Sequence, residues 1–194
     1  MINENMNELI RSFIAVEIEN HEVRRRIIEF KNMISSIAGS SIKPVEDENI
    51  HLTIRFLGEI DLATLDSVKK ILDKLTSFKR FELHIRGVGG FPSLGRPRVI
   101  WIGIEKGFEN LREIRRYIDS FVSKLRVQPD QHEFHPHITI GRVKTSLPPK
   151  VTQILADHTN EDFGITPVSK IYLKKSTLTP RGPVYSDLYY IELS

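Results

Sequence analysis

The chain has 194 residues, a formal net charge of +3 and no cysteine. Without cysteine, disulfide frameworks, thiolate nucleophiles and cysteine-based zinc sites are excluded. No apolar run approaches the roughly 20 residues that a membrane-spanning helix needs, and residues 1–10 are too polar and acidic for a secretory signal. These features predict a cytoplasmic protein whose slight basic excess is compatible with an anionic partner such as RNA.

Hydrophobic periodicity predicts that strands and helices alternate in the first part of the chain. A nearly continuous apolar run makes residues 12–18 a strand, and apolar residues three or four apart make 22–37 a helix. A second strand over 50–57 and a second helix over 62–75 follow. The order so far is strand, helix, strand, helix.

The rest of the chain continues with more strands than helices. Strands are predicted over 81–88 and 98–104, with a Gly- and Pro-rich loop between them, then a helix over 108–125 and a strand over 137–143. The last predicted elements are a short helix from about 148 to 156 and strands over 169–176 and 186–192. This order predicts an α+β fold with largely antiparallel sheets.

One short motif occurs twice and points to chemistry. The pattern His-x-Thr-x, with apolar residues at both x positions, begins at His51 and again at His137, 86 residues later. Each copy lies in a predicted strand, where residues two apart share a face. The imidazoles of His51 and His137 therefore project together with the hydroxyls of Thr53 and Thr139, while the apolar residues face the core.

The residue types of this motif suit displacement at phosphorus. An imidazole can take or give a proton at neutral pH, and a threonine hydroxyl can donate a hydrogen bond to a phosphate oxygen. In-line displacement needs one group that activates the nucleophile and another that protonates the leaving oxygen. Two copies that face each other across a groove would supply both groups without a metal.

The doubled motif resembles the 2H phosphoesterases, which are defined by two His-x-Thr/Ser-x motifs. Flanking segments make the chain similar to the bacterial and archaeal RNA 2′,3′-cyclic phosphodiesterases, also called 2′-5′ RNA ligases. The resemblance covers nearly the whole chain, and it rests on the segments 11–15, 51–58, 136–142, 173–178 and 182–185. Residues 1–10 precede the family pattern and are expected to be an N-terminal extension of a single domain over 1–194.

The resemblance implies a bilobal α+β fold in which two mostly antiparallel sheets, related by pseudo-twofold symmetry, flank a central groove with helices on the outer faces. It implies hydrolysis of RNA 2′,3′-cyclic phosphate ends to 2′-phosphate ends, and ATP-independent 2′-5′ ligation as the reverse reaction. By the same resemblance, His51 protonates the departing O3′, His137 activates water, and Thr53 and Thr139 hold phosphate oxygens. The expected enzyme is a cytoplasmic monomer without metal, nucleotide cofactor or obligate protein partner, acting on RNA ends or small cyclic nucleotides.

Strand parity bears on the residues that follow each motif. Arg142 matches an arginine of the family and is a candidate phosphate ligand, but alternation places it opposite His137 unless a bulge at Gly141 turns it inward. Arg55 shares the parity of the first histidine, so it either reaches the anion or is solvated at a strand end. Phe56 has the opposite parity and is expected in the core. Two aromatic residues in predicted loops either pack or stack on a base: Phe91 and Tyr185.

Two other functions are open at this level. His132, His135 and His137, together with Glu133, form a set that could bind a transition metal in a metal-dependent phosphohydrolase. That interpretation leaves the first His-x-Thr copy without a role. A non-catalytic RNA-binding module is the second alternative, in which both repeated histidines are spectators.

Overall fold

The computed structural model describes residues 9–125, 127–130, 133–180 and 182–194. Within these residues the chain forms nine strands and four α-helices. The strands are β1 (Ile10–Glu17), β2 (Ile42–Pro44), β3 (His51–Ile60), β4 (Phe81–Phe91), β5 (Val99–Lys106), β6 (His137–Val143), β7 (Asp162–Val168), β8 (Lys170–Thr179) and β9 (Gly182–Glu192). The helices are α1 (His21–Ala38), α2 (Leu62–Asp73), α3 (Phe108–Val122) and α4 (Pro149–Asp157).

The strands pair into one antiparallel sheet in the order β7-β4-β5-β6-β3-β1-β8-β9, and β2 pairs with β6 outside this path. The halves β7-β4-β5-β6 and β3-β1-β8-β9 meet through a single pair, Leu52 opposite Ile138. The predicted antiparallel α+β fold is therefore confirmed. The two expected sheets are two halves of one hydrogen-bonded sheet, and the two His-x-Thr strands lie side by side at its centre.

The helices cover one face of this sheet because their apolar stripes need a partner. The Asn20 side chain caps α1 by accepting from the main-chain N–H groups of Glu22 and Val23, and Asp61 caps α2 in the same way. Helices α1 and α4 pack together and contact β2, β4, β6 and β7, while α2 and α3 pack together and contact β3, β5 and β9. The apolar residues of the two motif strands are buried in the same core, so the histidines face the side opposite the helices. None of the described helices is long and apolar enough to cross a membrane.

Two strands were missed by sequence periodicity, and both have a local reason. Strand β2 has only three residues, too few to show alternation. Strand β7 contains Gly164 and Pro167, which are unfavourable within strands and obscure the pattern. Both are needed to complete the sheet.

Several boundaries also differ from the predicted ones. Strand β4 runs on to Phe91 and β9 begins at Gly182, so Phe91 and Tyr185 lie in strands rather than in the predicted loops. Ile10, which was assigned to the N-terminal extension, is buried and pairs with Ile60 as the first residue of β1. Residues 1–8 of that extension lie outside the described residues.

Candidate active site

A cavity of about 580 Å³ opens where the two motif strands meet. His51 and Thr53 of β3 line it together with His137 and Thr139 of β6. This placement follows from strand alternation, because the apolar residues between and after them are fully buried on the other face. The two motifs, 86 residues apart in the chain, therefore converge on one cavity.

Each imidazole is oriented by the same main-chain hydrogen bond. Nδ1 of His51 lies 2.7 Å from the carbonyl oxygen of Asn49, and Nδ1 of His137 lies 2.6 Å from that of His135. Because a carbonyl oxygen only accepts, Nδ1 carries the proton in both rings. Nε2 is then the atom that is free to take or give a proton. In His51 it lies 2.9 Å from the hydroxyl of Thr53, which lines the cavity.

Aromatic rings pack against both imidazoles. Tyr185 meets His51 edge to face with 5.2 Å between ring centroids, and Phe91 meets His137 edge to face at 5.0 Å. Phe13 lies 5.0 Å from His51 on a further side. Phe91 and Tyr185 therefore both pack against the histidine pair, and Tyr185 also lines the cavity.

Burial lowers the pKa of both histidines below the ordinary value of 6.5. Desolvation is the largest cause in each, and the hydrogen bond from Nδ1 to the main-chain carbonyl opposes it. The positive charge of Lys174 lowers the pKa of His51 further, and that of Arg142 does the same for His137. Both rings are therefore predominantly neutral at pH 7. An anion between them would favour protonation of one ring.

A bulge turns Arg142 into the cavity. Along the pairing of β5 with β6, Ile140 is an extra residue between Thr139 and Gly141, and an extra residue reverses the alternation beyond it. Arg142 accordingly lines the cavity with the second His-x-Thr motif. Arg142 therefore has the inward orientation that was expected only with a bulge.

The first motif has a bulge at the same place, and it overturns two expectations. The pairing of β1 with β3 passes over Ile54, so alternation reverses there too. Arg55 points away from the cavity, is only 6% exposed and lies 2.9 Å from the carboxylate of Asp119; the expectation that it reaches the anion or is solvated was wrong. Phe56, expected in the core, is 38% exposed and lines the cavity. The signal that could have placed Phe56 there is the 86-residue offset, which aligns it with Arg142.

The charge of the cavity suits a phosphate. Among the described residues, its basic side chains outnumber its one acidic side chain, Glu46, and they are Arg11, Lys43, Arg142 and Lys144. The guanidinium of Arg11 lies 4.6 Å from the centre of the Phe56 ring, so this cation is held against the cavity wall. A concave surface with such an excess of positive charge attracts anions.

The metal alternative gains no support from the described residues. His135 and Glu133 are exposed and 3.7 Å apart, and Nδ1 of His137 is already bonded to a carbonyl oxygen. His132 lies outside the described residues. In the part of the chain that the structure describes, no group of three or more His, Asp or Glu side chains is placed to hold a metal ion.

A family model and curated relatives match most of the chain. The family model described as LigT like Phosphoesterase matches residues 16–101 and 102–185, and each segment contains one His-x-Thr motif. An RNA 2′,3′-cyclic phosphodiesterase of Archaeoglobus fulgidus is 36% identical over 183 residues, which cover 94% of this chain and 100% of that protein. A protein of the same name from Aeropyrum pernix is 37% identical over 155 residues, 79% of this chain and 88% of that one.

Solved structures share the fold over nearly the whole chain. A crystal structure of a protein from Thermus thermophilus has a TM-score of 0.81 and 30% identity, and the match covers 95% of this chain and 98% of that one. The crystal structure of Escherichia coli LigT complexed with 3′-AMP has a TM-score of 0.77 at 23% identity, covering 96% and 99%. At 23% identity, the likeness to the Escherichia coli protein shows the fold alone.

Proposed function

This chain belongs to the LigT-like phosphoesterase family, and on that premise we propose that it hydrolyses RNA 2′,3′-cyclic phosphate ends to 2′-phosphate ends. The observation that carries the proposal is the pair of imidazoles on one cationic cavity, each with its Nδ1 proton bonded to the main chain. The names of the relatives support the substrate, and the histidine pair supports the chemistry.

The reaction divides the proton transfers between the two rings. Nε2 of His137 takes a proton from water as the water oxygen forms a bond to phosphorus. The bond from phosphorus to O3′ breaks, and O3′ takes the proton that Nε2 of His51 carries. The 2′ ester bond stays intact, so the product is a 2′-phosphate with a free 3′-hydroxyl. For this division His51 must enter protonated, and the anionic phosphate raises its pKa to make that state accessible.

The neighbouring donors hold the phosphate during the displacement. Thr53 and Thr139 donate hydrogen bonds to the two non-bridging oxygens, and Arg142 adds a positive charge against the same group. The Thr53 hydroxyl lies 2.9 Å from Nε2 of His51, so in this proposal the phosphate oxygen replaces the imidazole as the partner of this hydroxyl. In the ligation reaction a 5′-hydroxyl attacks in place of water, and the two RNA ends are joined through a 2′-5′ bond without ATP because the cyclic ester is already activated.

We also propose an oligomeric state, a cofactor requirement and a location for the enzyme. A single chain supplies both histidines and the phosphate ligands, which supports a monomer without an obligate protein partner. Histidine acid–base catalysis provides both proton transfers, so the proposed reaction uses neither a metal nor a nucleotide cofactor. A cytoplasmic location completes the proposal.

The decisive experiment is incubation with an oligoribonucleotide that ends in a 2′,3′-cyclic phosphate, with and without EDTA, followed by ³¹P NMR of the product. We expect a 2′-phosphate at the same rate in both samples. A 3′-phosphate would reverse the leaving group and the two histidine roles. Loss of turnover in EDTA would favour the metal-dependent alternative, and RNA binding without turnover would favour a binding module.

A further inference from the structure

The bulges at Ile54 and Ile140, the last residues of the two motifs, are held in different ways. In the second motif, β2 pairs directly with β6, and Pro44 lies opposite Gly141. The main-chain N–H of Val45 donates to the carbonyl oxygen of the bulged Ile140 at 3.0 Å. A Cβ on Gly141 would lie 2.9 Å from Cγ2 of Ile42, so glycine is what lets β2 approach.

The first motif has a large side chain where the second has this glycine. The 86-residue offset aligns Arg55 with Gly141, and it aligns residues 128–130 with β2. Residues 128–130 are described but belong to no strand. Instead of a strand-to-strand pairing, Nη2 of Arg55 donates to the carbonyl oxygen of Gln128 at 2.8 Å. A guanidinium therefore fills the space that β2 occupies in the other half.

A second arginine completes the arrangement from α3. Nη1 of Arg115 donates to the carbonyl oxygen of the bulged Ile54 at 2.8 Å, and Nη1 of Arg55 donates to that of Phe56 at 2.8 Å. The carboxylate of Asp119 lies 2.9 Å from Nε of Arg55 and 2.5 Å from Nε of Arg115. We call these three residues, Arg55, Arg115 and Asp119, the arginine clamp.

We propose that the arginine clamp is a positioning unit for the proposed phosphodiesterase site. A bulge leaves carbonyl groups without their usual strand partners, and buried carbonyl groups need donors. The clamp supplies those donors at Ile54 and Phe56. Without them a one-residue slip toward regular pairing would reverse every face beyond the motif, which moves Phe56 toward the core and Arg55 toward the cavity.

The same clamp reaches the segment that leads to the second motif. Nη2 of Arg115 donates to the carboxylate of Asp130 at 3.0 Å, and Gln128 is bonded to Arg55 as described. Both residues lie shortly before His137 in the chain. The clamp thus joins the strand that carries His51 to the segment that precedes His137, and it helps to set how the two rings face one phosphate.

The test compares Arg115→Lys with Thr166→Val. Lysine keeps the positive charge but cannot place three donors on Ile54, Asp119 and Asp130 at once. Thr166 is fully buried on β7, at the far edge of the sheet, and its hydroxyl accepts from the main-chain N–H of Asn20 at 3.0 Å. The control variant therefore also loses a buried hydrogen bond, but away from the cavity.

The readouts are the melting temperature, kcat and KM on a 2′,3′-cyclic phosphate oligonucleotide, and the affinity for adenosine 2′-monophosphate. The kinetics and the affinity are measured well below the melting temperatures of all variants. Both variants should melt earlier than wild type. Only Arg115→Lys should lose kcat, on the order of 10- to 100-fold, as expected for misplaced catalytic groups. Its imidazole NMR signals for His51 and His137 should also move.

The inference rests on the proposed function, and the two fail differently. If wild type turns over the substrate and Arg115→Lys keeps the kcat of the Thr166→Val control, the clamp is only structural and the inference is overturned. The same holds if both variants lose kcat equally. If wild type shows no turnover, the proposed function fails, and the clamp is then tested by the affinity for adenosine 2′-monophosphate. Unchanged affinity and unchanged imidazole signals in Arg115→Lys overturn the positioning role of the clamp. Weakened affinity with moved signals supports that role.

Discussion

Asn49 and His135 lie at equivalent places in the repeat, 86 residues apart, and each offers its main-chain carbonyl to Nδ1 of the histidine two residues later. Because the acceptor is a main-chain atom, the tautomer of both rings is set by strand geometry rather than by a replaceable side chain. In many histidine-based sites a carboxylate has this role. The side chain of Asn49 has a separate contact, since it is buried and its Nδ2 donates to the carbonyl oxygen of Pro183 at 2.9 Å.

His135→Ala tests this main-chain role. The variant keeps the carbonyl group that orients His137, so we expect kcat within about threefold of wild type, a small effect on the scale of acid–base catalysis. A metal site built from His135 and Glu133 would be destroyed by the same substitution. The measurement is kcat from steady-state kinetics on the cyclic phosphate oligonucleotide. A loss of kcat of about 100-fold or more, the lower bound for acid–base catalysis, would indicate that the imidazole of His135 takes part directly.

His51→Ala and His137→Ala should each lower kcat/KM by about 100-fold or more, because each removes one proton transfer from the displacement. His21→Ala is a suitable control, since His21 is exposed at the start of α1, away from the cavity-lining residues. Circular dichroism should show that all three variants are folded. A variant of either motif histidine that keeps turnover near the His21→Ala value would remove that ring from the mechanism.

The pH dependence of kcat/KM follows from the lowered pKa of both histidines. The base must be neutral and the acid protonated, so the rate peaks between two pKa values that both lie below 6.5 in the free enzyme. We expect a bell-shaped profile whose maximum lies on the acidic side of 6.5 and whose rate falls as pH rises to about 8. In kcat, which reports the bound state, the alkaline limb should move upward because the phosphate anion favours the protonated ring. A flat kcat/KM profile from about pH 5 to 9 would falsify the two-histidine assignment.

Gly141→Ala should disturb the second bulge. The added Cβ would lie 2.9 Å from Cγ2 of Ile42, so either β2 or the bulge must shift, at a cost of about 1–3 kcal/mol in the free energy of unfolding. Since the bulge turns Arg142 inward, KM should rise as well. Gly95→Ala is the matched control, because nothing lies within 4 Å of a Cβ there. Urea unfolding and steady-state kinetics measure both effects, and equal behaviour of the two variants would contradict the close contact with β2.

Much of the fold and of the histidine pair was predictable from local pattern. Helical periodicity alone predicts the apolar stripe of α1, and its residues Val23, Ile27 and Ile34 are buried. Strand β6 begins and ends at the predicted residues. Strand β2 could not be found in this way, since three residues carry no period, and it matters because it holds the bulge that orients Arg142.

By itself, the sequence determined the order of most strands and helices, the family, and the pairing of an imidazole with a hydroxyl on one face of each motif strand. The elements and the shared faces depend on neighbours within a few residues of one another, and the family is indicated by short motifs along the chain, so none of these properties requires knowledge of the fold. Only the tertiary structure decided on which face of the sheet the side chains of Arg55, Phe56 and Arg142 lie, because alternation holds along a regular strand and one extra residue reverses it. Whether that extra residue is tolerated depends on donors far away in the chain, Arg115 for Ile54 and Val45 for Ile140, and no local pattern contains them.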